Sequence, residues 1–104
     1  MNQDFEVKSQ VKKILEIVEQ IAPGKLVELR IPPCSAIQCV AGGTHRRGTP
    51  PNVVEMGVET LFKISENPTQ WQKLYDLGLI SASGANSKIA FLFLEVSKLM
   101  KSEI

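Results

Sequence analysis

Val7, Val11, Ile14, Leu15 and Val18 recur three and four positions apart, with Ile21 at the edge of the stripe and lysines and glutamates on the other side. That period predicts an amphipathic helix over residues 4–21. Pro23-Gly24 stops it, because proline cannot continue the ladder and glycine accepts a left-handed turn. The period then changes to two. Val27, Leu29 and Ile31 alternate with Glu28 and Arg30, which predicts a strand, and Pro32-Pro33 ends it by removing two ladder donors. Residues 36–40 read as a second strand and residues 52–56 as a third. Val58, Leu61, Phe62 and Ser65 have helical spacing. Asn67-Pro68 reads as a cap and first helical residue, and Trp71, Leu74 and Tyr75 as the apolar face of another short helix that ends at Gly78. A fourth strand is expected over residues 79–83, closed by Gly84. A last helix follows, capped by Asn86 or Ser87, with the stripe Ile89, Leu92, Phe93, Val96, Leu99 and Met100.

The order is helix, two strands, loop, strand, two short helices, strand, helix. Strands and helices do not alternate strictly, so the expected class is α+β, a small twisted, mainly antiparallel sheet packed against helices. The chain has 104 residues and no internal repeat or long linker, which suits one domain over 1–104. A net charge of +1, from 12 basic and 11 acidic residues, leaves no strongly basic face for nucleic acid. The longest apolar run, Ile89 to Leu94, is far short of the roughly 18 residues of a membrane span, and no secretory signal is visible. Cys34 and Cys39, if in one extended segment, stand roughly 16 Å apart, too far for a local disulfide. Both are expected as reduced thiols of a cytoplasmic protein. One histidine and no CxxC argue against zinc, and no cofactor motif occurs.

The segment Gly42-Gly43-Thr44-His45-Arg46-Arg47-Gly48-Thr49 holds the densest set of polar groups. Its glycines let backbone N–H groups approach a ligand, and Arg46 and Arg47 offer planar forks for carboxylate or phosphate. Thr44 and His45 add hydrogen-bonding groups. No GxxxxGK[ST] is present, so it is not a P-loop. The competing reading is a solvated connection whose arginines pair with acids such as Glu55 or Glu59. Glu55 itself interrupts an apolar strand, either as half of an Arg–Glu pair lining a site or on an exposed face. His45 has no nucleophile motif, DxD or HExxH around it, so an enzyme is not expected.

The last helix is more apolar than one buried face requires: Ile89 to Leu94 points apolar groups in nearly every direction. It is buried on several sides within the domain, or docks in a homodimer, or lines a cavity for an apolar ligand. Phe62, Leu61, Trp71 and Tyr75 read as core.

Two stretches resemble known proteins. AIQCVAGGTHRRGTPPNVVE, residues 36–55, looks like a group of small actinobacterial proteins classed as bacterial relatives of sterol carrier proteins. Residues 52–90 run strand, helix with Leu61-Phe62, helix ending at Leu77-Gly78, then Leu79 to Gly84 and an apolar helix. That is similar to the end of the sterol carrier protein type 2 domain, where a strand of the form K-L-K-I-x-G leads into a final helix. The resemblance implies helices over a twisted sheet and, between them, an apolar tunnel for acyl chains or sterols that the final helix helps to line. Carried over, Ile89, Leu92, Phe93 and Val96 lie near the cavity, with Trp71 and Phe62 opposite. The sequence departs in a shorter sheet region before Asn52, in a last helix that begins about one residue later relative to Gly84, and in the HRRG loop, which belongs to the subgroup alone. The expectation is a non-enzymatic carrier of a lipid or other small amphiphile. The alternatives are a homodimeric or partner-binding module with a fully packed core, and an anion or phosphometabolite binder using the HRRG loop.

Overall fold

The computed structural model describes residues 3–42, 52–85 and 87–102. Helix α1 spans Gln3–Ile21, with Asp4 and Glu6 in its first turn, where the helix dipole favours negative charge. Strand β1 is Val27–Ile31 and β2 is Ser35–Cys39. They form a hairpin through the cis Pro32–Pro33 bond, with the Cys34 N–H donating to the Ile31 carbonyl at 2.8 Å. Strand β3 is Asn52–Met56, followed by α2 (Val58–Glu66), a 3-10 turn (Pro68–Gln70), α3 (Trp71–Asp76), β4 (Ile80–Ser83) and α4 (Ala90–Ser102).

The four strands form an open sheet in the order β2-β1-β3-β4. β1 pairs antiparallel with β2 and parallel with β3, and β3 pairs antiparallel with β4. The fold is α+β, as expected, with the parallel pair making the sheet mixed. Alternation then sets its two faces. Val27, Leu29, Ile31, Cys39, Val54, Met56 and Ile80 are buried on one face, against Val11, Ile14, Val18, Leu61, Ile64 and Phe93 of the helices. Glu28, Arg30, Gln38, Glu55, Ser81 and Ser83 occupy the positions that alternate with them.

Val27 faces both Cys39 and Asn52, so β2 ends and β3 begins at the same end of the sheet, on either side of β1. The connector from α1 is tied down there. The Val40 N–H donates to the Ala22 carbonyl at 2.7 Å, and the Leu26 N–H donates to the Val40 carbonyl at 3.0 Å. Val40 adopts φ +67°, a costly value for a β-branched residue. Gly24, at φ +148°, passes so close that a Cβ there would stand 2.1 Å from the Val40 oxygen. Buried Asn52 donates its side-chain N–H to the Leu26 carbonyl at 3.0 Å, joining β3 to the same connector.

Three local expectations need correction. Tyr75 is exposed and not core, because α3 turns only Trp71 and Leu74 inward. Ser87 does not cap α4: its hydroxyl donates back to the Gly84 carbonyl at 2.9 Å, and the helix starts at Ala90. Leu99 is also exposed, which narrows the α4 stripe.

Candidate functional site

The tunnel expected between sheet and helices gives way to a packed core. Ile89, Leu92, Phe93 and Val96 belong to one hydrophobic cluster with β1, β3 and α1, and Phe93 is fully buried. The Trp71 and Phe93 rings pack with centroids 6.2 Å apart, tilted by 33°. Strands of four and five residues span little area, and the side chains of α1 and α4 fill the space above them. Nor is α4 buried on several sides. Phe91 is 58% and Leu94 50% exposed, because both lie on its outward face.

Phe62 and Trp71, expected on one cavity, line two different clefts. The first lies within the helical layer, between α1, α2 and α4, and has a volume of about 370 Å³. Gln10 and Ile14 come from α1, one turn apart. Phe62, Ser65 and Glu66 come from α2, and Ser97, Met100 and Lys101 from α4. Each of the last two triplets is spaced i, i+3, i+4, which places its members on one helix face. Ser65 and Ser97 are buried, at 3% and 5% exposure. A serine where an apolar stripe would carry leucine leaves space between two helices.

The two serines differ in their partners. The Ser97 hydroxyl donates to the Glu66 carbonyl at 3.3 Å, satisfying one of the carbonyls that a helix C-terminus leaves free. The Ser65 hydroxyl is buried and has no hydrogen-bond partner among the described residues. Glu66 and Lys101 bring opposite charges to this cleft without forming an ion pair among the described residues. The arrangement is an apolar body with a buried, unsatisfied hydroxyl and charged groups nearby.

The second cleft, about 550 Å³, has Trp71, Gln72 and Tyr75 of α3 on one side and Ala82, Gly84, Ser87, Lys88 and Ala90 on the other. Its lining is more polar. Ser87 there already has Gly84 as its partner.

Glu55 lies on the outer face of the sheet, exposed. Its partner among the described residues is Arg30, directly across the parallel pair, at 4.0 Å. Arg30 also pairs with Glu28, whose hydrogen bond and charge raise the guanidinium pKa. Glu55 is thus a surface carboxylate closed within a three-residue charge cluster. Thr44, His45, Arg46 and Arg47 lie outside the described residues. Cys34 and Cys39 are free thiols, and burial, then nearby Glu19, pushes Cys39 up to about 11.

Ile14, Ser65, Ser97 and Met100 escape the sequence reading as site residues. The available signal is a serine within an otherwise apolar stripe, Ser65 after Leu61-Phe62 and Ser97 after Phe93 and Val96. Its meaning depends on which two stripes face each other, which no single helix reveals.

The family model described as "Bacterial SCP ortholog", SCP standing for sterol carrier protein, matches residues 4–94. The match takes in the α1 and α2 walls of the first cleft and ends before its α4 wall. A search of the curated proteins returns no match.

Proposed function

The chain belongs to the family of bacterial sterol carrier protein orthologs, and from that premise we propose that it is a non-enzymatic, cytoplasmic carrier that holds a lipid or other small amphiphile in the α1–α2–α4 cleft. The observation that carries this reading is the cleft itself: about 370 Å³, walled by Ile14, Phe62 and Met100, with Glu66 and Lys101 beside them. That volume is at the low end of the roughly 300–1,000 Å³ common for small-molecule sites. Burying an alkyl chain there gains about 25 cal/mol per Å² of apolar surface, and a polar end meets the charged lining. No helix among the described residues is long and apolar enough to cross a membrane, and two free thiols suit a reducing compartment.

Native mass spectrometry of freshly purified protein should show co-purified lipid, and a fluorescent fatty acid should titrate to saturation. Met100→Trp, which fills the cleft, should abolish that titration with the fold intact by circular dichroism. Absence of both bound lipid and saturable binding in the native protein overturns the reading.

A second reading rests on Phe91 and Leu94, two large apolar side chains exposed one turn apart on α4. They support self-association. Sedimentation at micromolar concentration should then give a dimer that Leu94→Lys dissociates; a monomer throughout removes this reading.

A further inference from the structure

We infer that Ser65 is a ligand-positioning residue, and that the cleft selects amphiphiles carrying an uncharged hydrogen-bonding oxygen at the inner end of an apolar chain. The inference rests on the carrier reading above and adds to it the chemistry of the ligand. Ser65 lines the cleft from α2, on the helix face it shares with Phe62 and Glu66, and is 3% exposed. Its hydroxyl oxygen is buried and has no hydrogen-bond partner among the described residues. A serine in a helix ordinarily relieves this by bonding a carbonyl one turn back, and the neighbouring serines do find carbonyls. Ser97 donates to Glu66, Ser87 to Gly84 and Ser102 to Leu99.

An unmet buried hydroxyl carries a desolvation cost with nothing to offset it, so alanine at position 65 would suit a purely structural groove better. A ligand oxygen reverses that balance by accepting the hydroxyl proton. A pure hydrocarbon would bury the same apolar area and leave the hydroxyl unmet, which is the asymmetry that makes polar discrimination effective. The oxygen is sealed behind the cleft wall, so the wall must shift to admit a partner. Met100, unbranched and only partly buried, is the wall residue suited to do so.

The test displaces a cleft-bound fluorescent fatty acid with 1-decanol and with n-decane, in the native protein and in Ser65→Ala. The native protein should bind decanol roughly 3–10-fold more tightly than decane, the span one net hydrogen bond supplies. Ser65→Ala should bring decanol down to decane or below it, leave decane unchanged, and unfold in urea at the same or a higher midpoint. Equal loss of both probes, or a lowered urea midpoint, makes Ser65 a packing residue and overturns the inference. Decanol binding unchanged in Ser65→Ala also overturns it and leaves the carrier reading standing. If the fluorescent fatty acid fails to bind the native protein, both fall together.

Discussion

The sheet end where α1 enters and the cleft between α1, α2 and α4 are built on opposite terms. At the sheet end, Gly24, Val40 and Asn52 lock three segments together with hydrogen bonds of 2.7–3.0 Å, and a single added Cβ has no room. In the cleft, two small serine side chains leave open space between helices, and one hydroxyl has no partner among the described residues. The outer face of the sheet sides with the first region, since Glu28, Arg30 and Glu55 meet one another and water. Polar groups closed on each other stabilise or decorate a fold. A buried polar group left open inside an apolar cleft marks where a further molecule can improve the energy.

Substitutions can break this contrast in order of size. Phe93→Ala should cost the most, about 3–5 kcal/mol, because it empties the centre where α4 meets Trp71 and the sheet. Urea unfolding measures it, and a loss under 1 kcal/mol would mean that the core is not filled. Gly24→Ala comes next, at roughly 2–3 kcal/mol, since it adds both a strained φ and a clash with the Val40 carbonyl. Equal stability of that variant would show that the connector can move aside.

A smaller effect concerns Cys39. Burial pushes its folded pKa up to about 11, above the ordinary thiol value of 9.0. The unfolded chain therefore loses this proton first as pH rises. The thiol's contribution to stability is complete below about pH 9 and falls away through about pH 11. Thermal unfolding from pH 8 to 11 should show that decline, flattened in Cys39→Ala. A thiol reagent at pH 8 should react quickly with half-buried Cys34 alone until the protein unfolds. Smallest of all is Glu55→Gln, which removes an exposed partner of Arg30 and should change stability by at most about 0.5 kcal/mol. A change above 2 kcal/mol would place the charge cluster among the determinants of the fold and erase the contrast.

Much of the fold was legible in the chain because its elements announce themselves locally. The stripe Val11, Ile14, Leu15 and Val18 is buried as its period requires, and β3 spans Asn52–Met56 as its alternation predicts. Gly78 and Gly84 take positive φ at the turns they were expected to close. The site was far less legible. Ile89, Leu92, Phe93 and Val96 face inward as their spacing predicts, yet inward means core and not cavity wall, a distinction that an apolar stripe alone does not carry. The spacing of Trp71, Leu74 and Tyr75 predicts a shared core face, but six residues of helix are too few to define one. Glu55 has an arginine partner, but Arg30 supplies it across a parallel pairing that lies 25 positions away in the chain.

By itself, the order of apolar and polar residues determined the elements, most of their inward faces and the α+β class. These follow from periodicity and turn chemistry, which act over a few neighbouring residues. Only the tertiary structure decided that β1 and β3 run parallel, that the core is full, and that Ser65 of α2 and Ser97 of α4 line one cleft. Those outcomes depend on the volumes that distant side chains bring together, and a volume left unfilled is a property of several helices at once.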